Sequence, residues 1–310
     1  MTRKTRNWLI TLLILTSPFL FFLGLVFFWT AEPLQPLAPL PNPNGYDDLV
    51  KAGIEIRNVI KDGNVSEYDM ANLKTLREIV STNTGALALA RSALSNQCGV
   101  PLQFTKAYLT NHDQDVIAFR SLAQTLACEG KFAEKENRFG DAANSYLDVV
   151  RLGNDAGRGG IVIDEMIATA IERIGLEQLQ KIADDLDAHS CRDTIQSLET
   201  LDADRQTWAA TMQQQEDWSR RTYSGLQGRM LLIYYHVLYF RTREHDYQHC
   251  VDAINSTQKQ EGQLLIDLAA RAYKLDKGRS AASIADLVPD YLKAVPQDPV
   301  AGTNLVYPSR

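Results

Sequence analysis

Along most of this chain apolar residues recur every three or four positions, the period of a helix with one buried stripe. At the N-terminus that period gives way to an unbroken apolar run. From Trp8 to Trp29 no residue is charged, and roughly 20 apolar residues are enough to cross the hydrocarbon core of a bilayer. Trp8 and Trp29 stand at its two ends, where amphipathic indoles favour the headgroup level, and Arg3, Lys4 and Arg6 precede it. This order predicts a single membrane-spanning helix within 1–30, with the N-terminus in the cytoplasm and the following 280 residues outside. A cleaved signal peptide has a shorter apolar region, about 7–15 residues, followed by small residues. Here Phe27, Phe28 and Trp29 occupy that place, so the expectation is a retained anchor.

Residues 31–44 carry five prolines, which excludes helix and predicts an extended spacer. Beyond it the pattern predicts an all-α domain over 45–262 and a C-terminal module over 263–310. In Ser66 to Val80 the stripe is Leu73, Leu76, Ile79 and Val80, with Ser66 and Asp69 placed as a capping pair. Ala86 to Leu94 reads as a small-residue helix, and Asp113 to Ala127 buries Val116, Phe119, Leu122, Ala123 and Leu126. Arg158-Gly159-Gly160 reads as a packing turn, because no Lys-Ser/Thr pair follows to make a P-loop. The helix from Ile161 is expected to end at Gly175, with a separate one over Leu176 to Leu186. Asp193 to about Glu216 reads as one polar helix, and Val251 to Asp276 as a long last one. Met230 to Phe240 is a strongly apolar run but only 11 residues long, too short to span a bilayer, and predicts a buried core helix, or else an interfacial segment flanked by Arg229, Arg241 and Arg243.

Charge changes the picture of partners. Setting aside Arg3, Lys4 and Arg6 leaves 29 basic against 38 acidic residues, a balance near −9 that argues against nucleic acid as a partner. Cys98, Cys128, Cys191 and Cys250 all fall on the expected outer side, where disulfides persist. Four cysteines allow three pairings; Cys98–Cys128 and Cys191–Cys250 close the shortest loops compatible with helical hairpins. The competing reading is four buried thiols acting as small apolar residues.

Two stretches carry resemblances. In 121–154, Gly130, Ala142, Tyr146, Val149 and Leu152 follow the spacing of a tetratricopeptide-type helical hairpin, with Asn137 in place of the usual turn glycine and Asn154 in place of the proline. No second copy recurs at a 34-residue offset. From Leu264 onward the chain shows Leu268-Ala269-Ala270-Arg271-Ala272-Tyr273, Lys277-Gly278-Arg279, Ile284 to Leu292 and Val295-Pro296-Gln297-Asp298-Pro299. This resembles the C-terminal module of type II secretion pseudopilins, which is also found in a group of uncharacterised, membrane-anchored bacterial envelope proteins. That group is similar as well in Asn44-Gly45-Tyr46-Asp47-Asp48 and Cys98-Gly99-Val100-Pro101. Ser280-Ala281 depart from the module's Tyr-Pro, and the anchor lacks the acidic residue of pilins. The resemblance implies the bacterial cytoplasmic membrane as address. In pseudopilins the loop after Asp-Pro can bind calcium; Asp286, Asp290 and Asp298 are too few oxygens for that ion, and no metal is expected. Ser283 is expected to cap a short helix that Pro289 stops, with Leu287, Val288, Tyr291 and Leu292 clasping the long helix.

Candidate chemistry is sparse. His245 and His249 stand one helical turn apart, with Cys250 and His236 as further ligands, but Asp246 stands where a zinc protease has Glu. Asp164-Glu165 and Asp184-Asp185 are adjacent and point about 100° apart on a helix, which reads as surface charge. No catalytic residue and no cofactor is predicted. The sequence therefore supports an anchored extracytoplasmic helical protein that contacts an unidentified envelope protein. The alternative is an anchored metal-dependent enzyme built on the His245/His249 region.

Overall fold

The computed structural model describes residues 39–57, 71–223 and 240–307, together with Trp8, 16–22, Gly24, Leu34, 36–37, Gly228 and Met230; for residue 111 and for 240–246 it describes the backbone alone. Among the described residues the regular elements are helices, and there is one isolated antiparallel bridge, Gln297 to Asn304. The helices are α1 (Gly45–Glu55), α2 (Leu73–Thr82), α3 (Thr84–Leu94), the single turn α4 (Tyr108–Asn111), α5 (Asp113–Lys135) and α6 (Phe139–Gly157). After them come α7 (Val162–Ile182), α8 (Ala188–Ala203), α9 (Trp208–Thr222) and α10 (Phe240–Lys277), then a short 3-10 turn at Ile284–Leu287.

By contacts the chain divides into one unit of residues 39–215 with 248–310 and another of 1–38 with 216–247. In the second unit residues 16–22 are helical, and Phe19, Leu20 and Phe21 are exposed. No helix among the described residues is long and apolar enough to cross a membrane. Most of Trp8 to Trp29, and the interior of Met230 to Phe240, lie outside the described residues.

The first unit is organised around α6. Three- and four-residue turns fold α5, α6 and α7 back on one another, and α8 packs against α6 as well. α6 is buried over most of its circumference and divides its apolar side chains between two cores. Ala142, Tyr146, Leu147 and Val150 face α7, α8, α10 and the C-terminal segment. Val149, Leu152 and Ala156 face α1, α3 and α5, where Tyr46, Leu49, Leu87, Phe119 and Leu126 are buried. Leu264, Leu268, Ala272, Leu287, Leu292 and Leu305 belong to the first of these cores, so the C-terminal module shares its interior with the helical domain.

The helices lie close where glycine permits it. A Cβ on Gly130 would fall 2.3 Å from Tyr146 Cε1, so the α5–α6 pairing depends on that hydrogen. The α5–α6 turn needs a left-handed residue, and Asn137 supplies it at φ 58°, as asparagine can where glycine is the usual choice.

Several boundaries differ from expectation for identifiable reasons. α2 starts at Leu73, capped by Asn72, whose Oδ1 accepts the Thr75 N–H at 2.9 Å; Ser66 and Asp69 lie outside the described residues. Gly175 does not end a helix. α7 continues through it to Ile182, because Gly175 is where α7 meets α6: a Cβ there would be 2.6 Å from Val150 Cγ2 and 2.7 Å from the Tyr146 carbonyl oxygen. The polar helix expected from Asp193 to Glu216 is two helices, α8 and α9, parted at 204–207. At the C-terminus the expected clasp forms, with Leu287 and Leu292 buried; the cap comes from Asp286, whose Oδ2 accepts the Ala282 and Ser283 N–H groups, and not from the Ser283 hydroxyl. Tyr291 lies 5.5 Å from the Tyr273 ring and donates its hydroxyl to Asp276 Oδ2 at 3.0 Å.

Candidate functional site

The break between α8 and α9 puts Arg205 into the interior, and three glutamates from two other helices gather near it. Glu165 and Glu172 stand two turns apart on α7, hence on one face; Glu261 comes from the middle of α10. The Arg205 side chain is 10% exposed, and those of Glu172 and Glu261 are 5% and 3%. Arg205 Nη1 donates to Glu172 Oε2, and Nη2 donates to Glu261 Oε2 at 2.5 Å. Asp202 reaches the guanidinium from outside, at 3.4 Å. Glu165 sits beside this group within reach of the buried Thr211.

One guanidinium does not neutralise this many carboxylates. Burial pushes the Glu261 carboxyl up to about 8 against the pull of Arg205, and Glu165 up to about 7 with Glu172 adding to the rise. Glu172 is raised by the same burial, with Arg205 opposing. Glu261 Oε1 has no hydrogen-bond partner among the described residues. An open, buried carboxylate oxygen of this kind is unfavourable unless something else fills its lone pairs.

Glu261 borders a cleft of about 440 Å³ between the end of α8, the middle of α10 and the segment after Leu292. Glu199 and Asp202 form one wall, Gln258, Gly262 and Leu265 the floor, and Val295, Pro296, Gln297 and Pro299 the other wall. Gly262 allows this wall to lie close: a Cβ there would sit 2.7 Å from Leu305 Cδ1 and 3.2 Å from Pro296 Cβ. The wall is a small closed loop. Leu305 N–H donates to the Pro296 carbonyl at 2.9 Å, Asp298 N–H to the Thr303 carbonyl at 2.8 Å, and Gly302 turns at φ 64°. Asp298 accepts the Val300 and Ala301 N–H groups, and Lys259 Nζ lies 2.7 Å from it, holding its carboxyl down to about 2. Asp298, the acid this loop could offer to a cation, is thus engaged by a lysine.

A second buried charge group stands at the start of α7. His112 Nε2 donates to Asp164 Oδ1 at 2.5 Å, and its Nδ1 is 3.3 Å from Asp115 Oδ2. Asp164 Oδ2 accepts the Ile161 N–H and so caps α7, while Tyr46 donates its hydroxyl to Asp115 at 3.2 Å. Burial opposes the imidazolium, but the bonds to Asp115 and Asp164 outweigh it and raise His112 to about 9. At neutral pH the ring is a cation held between two carboxylates, a link between α5 and α7.

The residues singled out from sequence fall elsewhere. His249 is exposed and Cys250 buried, both bordering a hollow of about 550 Å³ with Arg120, Arg173 and Glu177. His245 lies in α10 with its side chain outside the described residues, and so does all of His236. Burial raises the Cys250 thiol, which disfavours the thiolate a metal would need. Among the described residues no three His, Cys, Asp or Glu side chains come together as a metal site. The pairings Cys98–Cys128 and Cys191–Cys250 are not made: all four cysteines are buried free thiols. Cys98, Cys128 and Cys191 pack into three different apolar clusters, which keeps them apart. Asp184 and Asp185 are exposed as expected, but Asp164 and Glu165 are buried and serve the two charge groups.

Arg205, Glu172, Glu261 and His112 carry no sequence signal as a group, because their partners are 33, 56 and 52 positions away. The local hint was Arg205 itself, the one long basic side chain in the Asp-rich stretch Asp202 to Arg205. Compared with family models, characterised proteins and solved structures, the chain matches none.

Proposed function

We propose that this chain is a single-pass protein of the bacterial cytoplasmic membrane whose extracytoplasmic helical domain works by holding another envelope protein. The observation that carries the reading is the consecutive folding-back of α5, α6 and α7, with α8 against α6, which leaves a cleft walled by the C-terminal loop. Helical hairpins stacked in this way bury one face on their neighbours and present the other to partners. The Gly130–Tyr146 contact and left-handed Asn137 agree with the tetratricopeptide-like spacing. The anchor is supported by the charge-free Trp8 to Trp29 run and by exposed Phe19, Leu20 and Phe21 on a helical segment.

Two measurements test this. Alkaline carbonate should leave the full chain in the membrane pellet, and release into the supernatant would overturn the anchor. A photoreactive residue replacing Gln297 in the full chain should yield one discrete adduct with another protein, whereas the same residue at exposed Arg173 should not. A diffuse smear from both positions, or no adduct from Gln297, would overturn the partner reading.

A further inference from the structure

The cleft beside Glu261 has a charge surplus with a definite shape. Three carboxylates, Glu199, Asp202 and Glu261, line it with one cation, Lys293, while Arg205 is shared between Glu261 and Glu172. Lys293 offsets Glu199 alone: its backbone N–H donates to Oε1 at 2.9 Å and its ammonium, on a side chain 70% exposed, is 3.4 Å from Oε2. Glu261 Oε2 is taken by Arg205, and Oε1 is buried with no hydrogen-bond partner among the described residues, on a side chain 3% exposed that borders the cleft.

We infer that this cleft binds a primary ammonium group on an alkyl stem, with the ammonium donating to Glu261 Oε1. The chemistry of the open oxygen selects the ligand. A guanidinium brings five N–H donors in a rigid fork to a carboxylate whose other oxygen is already held, whereas an ammonium is a compact point donor with three. A divalent ion needs about six or more oxygens at close range, and among the described residues no three His, Cys, Asp or Glu side chains come together as a metal site. Gln258 and Gln297, whose amide oxygens can accept, line the same cleft. Leu265, Val295, Pro296 and Pro299 give an apolar lining of the kind that covers the stem of a lysine. A volume of about 440 Å³ accommodates such a side chain or a free alkylamine.

The site does not depend on the domain being a protein-binding module; only a lysine of a partner polypeptide as the source of the amine rests on that reading. Binding should be measured by isothermal titration of the full chain in detergent at pH 8, with pentylamine, pentylguanidine, pentanol, Nα-acetyl-lysine methylamide and calcium chloride as separate probes. Pentylamine should saturate at one equivalent, bind at least tenfold tighter than pentylguanidine or pentanol, and release protons as the Glu261 carboxyl ionises. Glu261→Gln keeps the shape and the Arg205 contact, and should weaken pentylamine at least tenfold with an unchanged circular dichroism spectrum. Tight binding of the lysine derivative favours a polypeptide source; binding of pentylamine without it leaves the site intact and assigns it a free amine. No saturation by pentylamine, equal affinity in Glu261→Gln, or a preference for calcium would each overturn the inference, whatever the photoreactive residue captures.

Discussion

Gly175 separates two accounts of α7, as a helix terminator or as a point of close approach, and Gly175→Ala decides between them. In a helix interior alanine is favoured over glycine by about 1 kcal/mol, so a glycine with free space around it should be improved by the change. At Gly175 the added methyl would lie 2.6 Å from Val150 Cγ2, 2.7 Å from the Tyr146 carbonyl oxygen and 3.0 Å from the Val150 nitrogen. Carbon contacts are comfortable at about 3.5–4.0 Å, so α6 would have to retreat by roughly 1 Å from α7. Two of the three atoms are backbone, which no rotamer change can move. The retreat would also loosen Tyr146, Val150, Leu176 and Leu179, all buried in one cluster. Overpacking of this kind costs about 1–3 kcal/mol and more where backbone must shift, which exceeds the propensity gain. The expected result is a net loss of about 1–3 kcal/mol, or roughly 2–10 °C in Tm for a domain of this size. Gly85, exposed near the start of α3 with nothing within 4 Å of its Cβ position, is the control: Gly85→Ala should be neutral or gain up to about 1 kcal/mol. Urea midpoints followed by far-ultraviolet circular dichroism on the full chain measure both. A Gly175→Ala midpoint at or above wild type would refute the close-approach account.

The two charge groups yield further tests. His112 is raised in the fold from 6.5 to about 9, so its stabilisation is complete below pH 6.5 and fades as pH rises through 9. On the order of 3 kcal/mol should be lost across that window, and His112→Gln should flatten the urea midpoint between pH 6.5 and 9; an unchanged slope would sink the assignment. Arg205→Met leaves Glu172 and Glu261 buried without their cation and should cost about 3–5 kcal/mol at pH 8. Because burial raises both carboxyls, acidification towards pH 5 should recover part of that loss in the variant, as seen in thermal melts; a loss independent of pH would contradict it.

How far the sequence reached depended on the range of each interaction. The stripe of Phe119, Leu122 and Leu126, the Ser283–Asp286 cap and the Leu287–Leu292 clasp lie within a few turns of one another, so periodicity and capping rules found them. Gly130 and Asn137 were legible for the same reason, as parts of one hairpin. Gly175 was misread because a helix-breaking residue and a close-packing residue look alike until the neighbouring helix is in place. Glu165 was read as surface charge because adjacent acids diverge on a helix, yet α7 is covered on more than one side and the divergence places Asp164 and Glu165 in two different buried groups. The single polar helix expected over α8 and α9 hid the break that carries Arg205, since nothing local distinguishes an arginine in a buried turn from one on a surface.

Both buried charge groups act on α7, and this bears on what they do. His112 fixes its first turn through Asp164, and Arg205 fixes its middle through Glu172 while reaching α10 through Glu261. Apolar packing against α6 alone would tolerate small rotations of α7, because buried Val, Leu and Ile surfaces are nearly interchangeable. Charged pairs inside a protein gain little net stability but are strongly disfavoured when misaligned, so they select one rotation and one register. For Arg205 the selection extends to the cleft: while Nη1 holds Glu172 on α7, Nη2 holds Glu261 Oε2 and leaves Oε1 without a partner among the described residues. The same guanidinium therefore orders the helix packing and leaves the acceptor that a ligand can use, so site and scaffold cannot vary independently at this position.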